Sequence, residues 1–458
     1  MRWLKMILIT LFIGALIACG SGGNAPAAQT PVTQTPAAEP MPSAFSWSEA
    51  DPESEGMNGD QLELAFDAAF AEGSFTQAAL VIKNKRIVYE KYRGILDGER
   101  QSISTSTSLS DASVADLYGN RDRDSLVSSW STAKSFTSIV IGIAIGQDYI
   151  QSLDERASNY IDEWANDARA AISIRQLLDM RSGLVPVCFD PASQNLGECT
   201  ATDGSGGDLV FADDQMSACI QRSLAPETGN PAWYLNGRVP YRRGAWLYSN
   251  CDTMILGEII FRATGQSLQT YADFQLFSKL GMTAYWWRDN AENAQESGNF
   301  LAYCCLDATA RDFARFGQMI LDGGVWEGEQ IVPSTYIDAL KNITQDSVVG
   351  APYSSNYSYG LKFWTITPVE QDDGSLFPAA FALFSAIGFD GQYIVIDFEN
   401  DLIVVRNSLY NQSVNQGSEL KMAVDVLDIS QSNFVSTLPN GIGASVPSTF
   451  NPQKFLYQ

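Results

Sequence analysis

The pattern of apolar and polar positions predicts strands near both ends of the chain and helices between them. Residues 77–94, QAALVIKNKRIVYEKYRG, predict two strands joined by a turn at Asn84–Lys85. Residues 391–408, GQYIVIDFENDLIVVRNS, alternate between apolar and polar positions and predict a hairpin that turns at residues 399–401. A single sheet that takes strands from both ends accounts for this order.

The intervening sequence is dominated by helical patterns. We predict helices over residues 59–73, 132–146, 173–184, 251–265, 309–324 and 417–430. The helix at 132–146 is apolar on nearly all faces, which predicts that it is buried. Thr309 and Asp312 resemble a capping box at a helix start. The polar, low-complexity stretch at 101–113 predicts a loop.

This order of elements predicts an α/β fold with an inserted, mostly helical domain. A central antiparallel sheet flanked by helices would use residues 45–150 and 345–435. The inserted domain would span residues 151–344. Within it, residues 185–240 are rich in Gly, Pro, Asp and Asn, and they predict an irregular lobe that shapes a pocket. Residues 436–458 would form a C-terminal tail.

The first 18 residues are expected to be a leader segment. MRWLK is basic, and the apolar MILITLFIGALI is too short to span a membrane comfortably. LIAC resembles a bacterial lipobox, so cleavage would leave a lipidated Cys19, and residues 19–44 would form a flexible tether. We expect the bacterial cell envelope, with this anchor as the only membrane contact, and Gly20 favours the outer membrane facing the periplasm. The alternative is an ordinary secretory signal with a nearby cysteine.

The amino-acid composition excludes several kinds of catalytic and binding site. The 458 residues include no histidine, which excludes a Ser-His-Asp triad and imidazole metal sites. Proton transfer must therefore use carboxylates, lysine, tyrosine or cysteine. The net charge of −24 repels nucleic acid and anionic lipid surfaces, so no nucleic-acid partner is expected. No metal and no cofactor are expected either.

Cysteine usage is compatible with disulfide bonds in an exported chain. Beyond Cys19, the cysteines are Cys188, Cys199, Cys219, Cys251, Cys304 and Cys305. Cys188 and Cys199 flank a short loop and are the best pair. Adjacent Cys304 and Cys305 are not expected to bond each other. The remaining pairing stays open.

Ser131 and Lys134 form a Ser-x-x-Lys motif at the start of the predicted buried helix. This spacing places both side chains on one face, one turn apart. Burial would lower the pKa of Lys134, so that its amine could accept the serine proton. The helix dipole at Ser131 would favour developing negative charge. The spacing alone is weak evidence, since SELK at 418–421 matches it too.

A tyrosine close to this lysine could take part in proton transfer. Tyr248 and Asn250, in YSNCDTMILGEII, precede a strongly apolar helix. A phenol beside a lysine ammonium can act as a general base, with the asparagine as a hydrogen-bonding clamp. Tyr-x-Asn also occurs at Tyr118 and Tyr234, and the following helix favours Tyr248.

Five stretches in register resemble one known family. They are SSWSTAKSFTSIVIGIAIGQDYI, IRQLLDMRSGL, YSNCDTMILGEIIFRATG, CLDATARDFARFGQMILDGGVW and GFDGQYIVIDFENDLIVVRNS. Together they resemble the serine hydrolases of the β-lactamase-related superfamily over roughly residues 45–430. That group includes class C β-lactamases, DD-peptidases, certain carboxylesterases and aminohexanoate-oligomer hydrolases, and the similarity to the last is greatest. The resemblance implies a serine β-lactamase/DD-peptidase-like fold.

The resemblance also implies roles for the residues named above. Ser131 would attack a carbonyl and form an acyl-enzyme. Lys134 and Tyr248 would move its proton and then activate the hydrolytic water. Asn250 would orient the substrate or the lysine.

The third motif of the family falls on Phe389, Asp390 and Gly391. The oxyanion hole would use the backbone N–H groups of Ser131 and Gln392. Where family members carry lysine or histidine, this chain has Phe389. In the β-lactamase members that position helps to hold the substrate carboxylate. Its loss disfavours β-lactam and DD-peptidase activity, and it fits esters or amides with a neutral or amino end.

The sequence thus predicts an exported serine hydrolase for a small-molecule ester or amide. A β-lactamase or peptidoglycan DD-peptidase is the rival among enzymes. A non-catalytic envelope protein that uses the fold for binding is the rival of another class. The natural substrate and the oligomeric state are left open.

Overall fold

An eight-stranded sheet lies at the centre of the computed structural model, with strands from both ends of the chain. The structure describes residues 45–106, 110–190, 195–198, 209–210, 212–227, 230–235, 239–291, 298–343, 357–367, 369–370, 376–377 and 382–409. The strands are β1 Ser48–Glu49, β2 Thr76–Lys83, β3 Arg86–Tyr92, β4 Leu126–Ser128, β5 Val187–Asp190, β6 Asn195–Glu198, β7 Asn230–Leu235, β8 Val239–Tyr241, β9 Tyr285–Trp286, β10 Leu306–Thr309, β11 Val325–Trp326, β12 Glu329–Gln330, β13 Tyr357–Gly360, β14 Phe363–Ile366, β15 Val369–Glu370, β16 Leu376–Phe377, β17 Leu383–Gly388, β18 Gln392–Asp397 and β19 Leu402–Ser408. The α-helices are α1 Gly59–Ala69, α2 Asp97–Ser106, α3 Asp111–Tyr118, α4 Ala133–Gly146, α5 Ile174–Leu178, α6 Gln215–Ile220, α7 Asn250–Thr264, α8 Leu268–Ala272, α9 Ser278–Leu280, α10 Ala310–Leu321 and α11 Ser334–Lys341.

The strand order of the main sheet is β1-β3-β2-β19-β18-β17-β14-β13. The first and last parts of the chain meet where β2 pairs antiparallel with β19, in a register that places Val81 opposite Val404. The other pairings in this sheet are antiparallel too, except that β1 lies parallel to β3. The prediction of an antiparallel sheet built from both chain ends is therefore confirmed.

Both faces of the main sheet are covered, because its central strands are apolar at successive positions. In β2, Ala79 and Val81 belong to the cluster that packs against α1. The intervening Leu80 and Ile82 belong to the larger cluster with α4 and α10. Side chains of a strand alternate between faces, so this run must be buried on both sides. Each fully buried aliphatic side chain of this kind stabilises the fold by about 1.5–3 kcal/mol.

Helix α4 is the buried helix that the sequence predicts. Its residues from Ala133 to Ala144 are all buried. The Phe136 ring stacks on Phe316 of α10, with ring centroids 3.7 Å apart. The hydroxyls of Ser138 and Tyr336 are 2.8 Å apart and tie α4 to α11. This packing fixes the helix that carries Lys134.

The predicted helices that start near residues 59, 251 and 309 and both hairpins are also confirmed. Asn84 and Lys85 form the β2–β3 turn with φ of 49° and 65°, the left-handed conformation that tight hairpins require. Helix α7 ends at Gly265, whose φ of 73° is typical of a helix C-terminus. Helix α10 begins with the predicted capping box of Thr309 and Asp312.

The prediction of a loop at 101–113 is wrong, because this stretch lies largely in α2 and α3. Buried Glu99 explains the first of these helices. Its carboxylate accepts hydrogen bonds from the backbone N–H groups of Leu96 and Phe75. It also forms an ion pair with Arg93, with a nitrogen–oxygen distance of 2.7 Å. These contacts anchor α2 although its serine-rich sequence has no strong helical pattern.

The helix predicted over 173–184 is much shorter than expected. Its start is correct, since Ser173 and Gln176 form a capping box at the N-terminus of α5. The helix ends at Leu178. Met180 then adopts a left-handed φ of 56°, which a continuing helix cannot contain.

A disulfide joins α6 to α7. Cys219 and Cys251 are bonded, with their Cα atoms 5.0 Å apart. The bond fixes the N-terminal end of α7, directly after Asn250. The predicted partner of Cys188, Cys199, lies outside the described residues, so that pairing stays a prediction.

Several predicted segments lie outside the described residues. They are the leader at 1–18, the tether at 19–44, the helix at 417–430 and the tail at 436–458. The proposed division into two domains also stays a prediction. Among the helices that the structure describes, none is both long enough and apolar enough to cross a membrane.

Candidate active site

Ser131 lies in a tight turn between β4 and α4. Residues Trp130–Thr132 form a short 3₁₀ helix that leads directly into α4. Trp130 has a left-handed φ of 45°. Such strain in a non-glycine residue persists only where its surroundings hold it, and it often marks functional sites. Ser129 supplies part of that support, because its N–H and hydroxyl bond Leu306 of β10.

Lys134 follows Ser131 by one turn and is directed toward it. Its Nζ donates a hydrogen bond of 3.0 Å to Ser131 Oγ and one of 2.8 Å to the backbone carbonyl of Tyr303. The side chain is almost fully enclosed, with only 1% of the residue exposed. The predicted proximity of Ser131 and Lys134 is therefore present in the fold.

The surroundings of Lys134 disfavour its charged form. Burial holds the pKa of this amine well below its ordinary value of 10.5, and the nearby Lys362 lowers it further. A neutral amine has a free electron pair that can accept a proton from a hydroxyl. The lowered pKa favours this neutral form, and the amine lies 3.0 Å from Ser131 Oγ, a distance that permits proton transfer.

Tyr248 lies against the same amine. Lys134 Nζ is 4.8 Å from the centroid of the Tyr248 ring and 5.3 Å from that of Tyr303. Tyr248 is buried, and its ring stacks on Trp364 with centroids 6.1 Å apart. The structure therefore brings Tyr248 together with Lys134, as the sequence predicts.

Asn250 is the first residue of α7 and is buried two positions after Tyr248. Ser249 between them caps the helix, because its hydroxyl accepts a hydrogen bond from the Asp252 N–H. This cap fixes the direction in which the chain leaves Tyr248. The role of Asn250 as an orienting group stays a prediction.

The segment from Gly388 to Gln392 lies directly beside the Ser131 turn. It comprises the end of β17, a short 3₁₀ helix at Phe389–Gly391 and the first residue of β18. The Phe389 ring packs edge-to-face on Trp130, with centroids 5.5 Å apart. The side chain of Gln392 is bound to β19, where its Nε2 donates to the Ser408 carbonyl. The side chain of Gln392 is therefore occupied, and only its main-chain atoms are available for an interaction next to Ser131.

Gly391 has a φ of 78°, the left-handed conformation that glycine adopts most readily. Its carbonyl accepts a hydrogen bond of 3.0 Å from Arg406 Nη1, which ties the turn to β19. The third predicted motif is therefore adjacent to the first. The side chain of Asp390 lies outside the description, and the oxyanion role of the Ser131 and Gln392 N–H groups stays a prediction.

Replacement of Gly388 with alanine is expected to destabilise this junction. A Cβ at this position would lie 2.3 Å from the Ser129 carbonyl oxygen and 2.9 Å from Thr132 Oγ1. Because the nearest atom is backbone, the turn itself must move, and we expect a loss of about 1–3 kcal/mol in the free energy of unfolding. Urea unfolding measures this change. Gly197→Ala is the matched control, since nothing lies within 4 Å of its Cβ. Equal stability of both variants would contradict the close contact.

The sequence did not indicate a disulfide between neighbouring cysteines beside this site. Cys304 and Cys305, which were not expected to bond each other, form a disulfide directly after Tyr303. Side chains of adjacent residues point apart in an extended strand. Here Cys305 leaves the extended conformation with a φ of 62°, so the expectation was wrong. The double cysteine is the signal that could have drawn attention to Tyr303.

Three further charged residues near the site also escaped the sequence reasoning. Lys362, Asp252 and Asp179 lie close to Lys134 or to one another. Each comes from a different part of the fold. Asp179 and Asp252 lie within the stretches IRQLLDMRSGL and YSNCDTMILGEIIFRATG, but residue type and spacing assigned them no role. No group of three or more His, Cys, Asp or Glu side chains that could hold a metal ion occurs within the part of the chain that the structure describes.

The fold is that of the serine β-lactamases and DD-peptidases. The Beta-lactamase family model matches residues 66–428, which is most of the chain. The chain therefore belongs to the Beta-lactamase family, a family of serine hydrolases with this fold. The resemblance predicted from its five motifs is confirmed.

Individual relatives are distant. A 6-aminohexanoate-dimer hydrolase from Paenarthrobacter ureafaciens is 26% identical over 289 residues, which cover 61% of this chain and 64% of that protein. The match thus spans less than two thirds of that relative. A Bacillus anthracis structure provisionally described as a 6-aminohexanoate-dimer hydrolase is 22% identical with a TM-score of 0.55, covering 84% of this chain and 87% of that one. A penicillin-binding protein homologue from Caulobacter crescentus is 15% identical with a TM-score of 0.54, covering 84% and 99%. These two structures show the shared fold.

Proposed function

We propose that this protein is an exported serine hydrolase that cleaves a small-molecule ester or amide through an acyl-enzyme on Ser131. The observation that carries the proposal is the 3.0 Å contact between Lys134 Nζ and Ser131 Oγ inside a buried site. Activated serine nucleophiles require a base within hydrogen-bond reach, and Lys134 meets that requirement. The chain belongs to a family of serine hydrolases, which agrees with this chemistry.

In the first step, Ser131 Oγ attacks the substrate carbonyl carbon. The Oγ–H proton moves to the neutral amine of Lys134, and the carbonyl π electrons move to oxygen. The backbone N–H groups of Ser131 and Gln392 would stabilise this oxyanion. The position of Ser131 at the N-terminal end of α4 supports the same charge through the helix dipole.

The tetrahedral intermediate then collapses. The bond from carbon to the leaving oxygen or nitrogen breaks, and the proton held by Lys134 passes to that atom, with Tyr248 as the relay. Water next attacks the acyl carbon and gives one proton back through the same groups. The Oγ–carbon bond breaks, Ser131 regains its hydrogen, and the acid is released. No cofactor enters this sequence.

The lining near Ser131 favours a substrate without a carboxylate at this side. Phe389 stands where the family carries a cationic or imidazole residue, and its ring packs on that of Trp130, which directly precedes Ser131. An apolar ring cannot pair with a carboxylate, whereas it contacts a neutral acyl chain favourably. The relative from Paenarthrobacter ureafaciens is named a 6-aminohexanoate-dimer hydrolase, which supports a small-molecule substrate for this chain.

Mass spectrometry of the intact protein tests the proposal. The full chain is mixed briefly with p-nitrophenyl acyl esters, linear amides that end in an amine, a penicillin and a fluorophosphonate probe. We expect an acyl adduct from an ester or amide, and peptide mapping should place it on Ser131. The serine of the second Ser-x-x-Lys, Ser418, is the internal control and should stay unmodified.

The rival functions give different results. A penicillin adduct that forms and turns over, with no ester or amide adduct, would favour the β-lactamase or DD-peptidase function. A Ser131 that reacts with no compound, including the fluorophosphonate, would rule out acyl transfer. That result would favour a binding protein on the same fold.

A further inference from the structure

A second lysine is buried close to Lys134 and has no place in the mechanism above. Lys362 occupies the tight turn between β13 and β14, and only 2% of it is exposed. Leu361 and Lys362 both have left-handed φ, at 47° and 65°. Lysine is rarely buried to this extent unless it has a specific partner. The backbone conformation of such a turn does not require a buried lysine amine.

Three hydrogen bonds hold Lys362 between two helices. Its Nζ donates to the Leu177 carbonyl at 2.7 Å, and its backbone N–H donates to the Leu178 carbonyl at 3.1 Å, both at the end of α5. Its own carbonyl accepts a hydrogen bond of 2.7 Å from Ser135 Oγ. Ser135 is the residue after Lys134 on α4. The turn that carries Lys362 is thus fastened beside the lysine of the candidate active site.

The carboxylates of buried Asp252 and half-buried Asp179 favour the protonated form of Lys362. Asp252 accepts hydrogen bonds from Ser182 Oγ at 2.7 Å and Ser249 Oγ at 3.0 Å. Asp179 Oδ1 accepts one of 2.8 Å from the Leu361 N–H, within the Lys362 turn. Burial lowers the pKa of Lys362, and the charges of Asp252 and Asp179 oppose that change.

Lys134 has a different environment. Burial and the charge of Lys362 both lower its pKa, and no carboxylate of the described residues opposes them. Of the two buried lysines, Lys362 is therefore the one that retains its proton more readily. In a buried medium of low dielectric, the positive charge of Lys362 repels a second positive charge on Lys134 more strongly than it would in water.

We propose that Lys362 is a positioning residue for the Ser131 chemistry, a buried cation that keeps Lys134 neutral and thus able to accept the serine proton. The proposal rests on the proposed function for its catalytic consequence. In this proposal, the negative charges of Asp252 and Asp179 stabilise the protonated form of Lys362. Both lysines are needed in this arrangement, although only Lys134 touches Ser131.

The groups that face this pair come from several elements. The groups near Lys134 are Ser131, Tyr248, Tyr303 and Lys362. The carboxylates that act on Lys362 are those of Asp252 and Asp179. The further titratable groups near these carboxylates are Tyr359, Arg175 and Arg181. Only Lys362 adds positive charge directly at Lys134 among these described groups.

The pH dependence of kcat/KM tests the proposal with an ester that the wild type hydrolyses. In Lys362→Met the neighbouring cation is lost, so Lys134 binds a proton at higher pH. We expect the acidic limb of the profile to move up by about one pH unit, with the plateau at high pH retained. At a pH on the old acidic limb, activity should fall about tenfold. A residue with only a structural role would lower the whole profile without moving its limb.

Ser135→Ala is the matched control, because it removes the hydrogen bond to the Lys362 carbonyl without changing any charge. It should leave the acidic limb in place. An unmoved limb in Lys362→Met, with an active wild type, would overturn the proposal and leave the proposed function intact. Should Lys362→Met fail to fold, Lys362→Met/Asp252→Asn removes cation and carboxylate together and should move the limb in the same direction.

A direct titration separates this proposal from the function. In protein with ¹³C-labelled lysine side chains, the Lys134 signal is assigned by its disappearance in Lys134→Met. We expect it to titrate well below an ordinary lysine in the wild type and at higher pH in the Lys362 variants. A wild-type Lys134 that titrates like an exposed lysine overturns the proposal, whether or not any substrate has been found. An inactive protein with the expected titration would reject only the function.

Discussion

Replacement of Ser131 with alanine is expected to lower kcat/KM for every ester or amide substrate by at least about 10³-fold. The variant lacks the atom that forms the acyl bond, so only water activated by Lys134 could attack the carbonyl. Labelling by a fluorophosphonate at Ser131 should disappear at the same time. Both quantities are measured on the purified full chain beside the wild type.

The control is Ser418→Ala, which alters the other Ser-x-x-Lys of the chain. It should leave kcat/KM and labelling unchanged. Unfolding by urea should show that Ser131→Ala loses no more than about 1.5 kcal/mol, since the half-buried hydroxyl contributes one hydrogen bond. A Ser131→Ala protein that still forms acyl adducts would place the nucleophile elsewhere.

Replacement of Lys134 with methionine is expected to lower activity by about 10³-fold, the usual contribution of a general base. Methionine has a similar length and fills the same enclosed space, but it offers no proton acceptor to Ser131. The carbonyl of Tyr303 also loses its hydrogen bond of 2.8 Å. Rates are compared at pH values across the whole profile, so that a shifted limb is not mistaken for a loss.

The same change should affect stability in a pH-dependent way. The folded pKa of Lys134 lies below its ordinary value of 10.5, so between those two values the unfolded chain binds more protons than the folded one. The lysine therefore destabilises the wild type fully below its folded pKa, and this effect vanishes above about 10.5. Lys134→Met should gain stability relative to the wild type at neutral pH, and the gain should shrink as pH rises.

Urea unfolding from pH 6 to pH 10 measures this difference. Lys85→Met serves as the control, because the side chain of Lys85 is 60% exposed in a surface ion pair with Asp322. Such pairs contribute about 0–1 kcal/mol, so the control should differ little from the wild type at any pH. A constant difference between Lys134→Met and the wild type across this range would mean that Lys134 titrates normally.

Local signals in the sequence predicted most of the regular elements. The turn at Asn84–Lys85, the end of α7 at Gly265 and the capping box of Thr309 and Asp312 each depend on neighbouring residues only. The patterns of residues 77–94 and 391–408 predicted strands, and their positions near both chain ends predicted one shared sheet. Elements of this kind follow from residue type and spacing, and the structure agrees with them.

The predictions that were wrong concern elements that depend on residues far apart in the chain. Helix α2 forms around Glu99, whose partners Phe75 and Arg93 lie outside the predicted loop. Helix α5 ends early where Asp179 bonds the distant Leu361 N–H. These contacts join residues far apart in the chain, and no window of sequence contains both partners.

The candidate site also combines features that follow from local sequence with features that depend on distant contacts. The sequence by itself determined that Ser131 and Lys134 lie one turn apart at the start of a buried helix, because that spacing and that apolar pattern are local. It also determined, through the absence of histidine, that lysine or tyrosine must move the proton. Only the tertiary structure decided the surroundings that lower the pKa of Lys134. The Tyr303 carbonyl lies 169 residues from it, and the Ser135–Lys362 contact beside it joins residues 227 apart, so burial and charge at the amine exist only once the chain has folded.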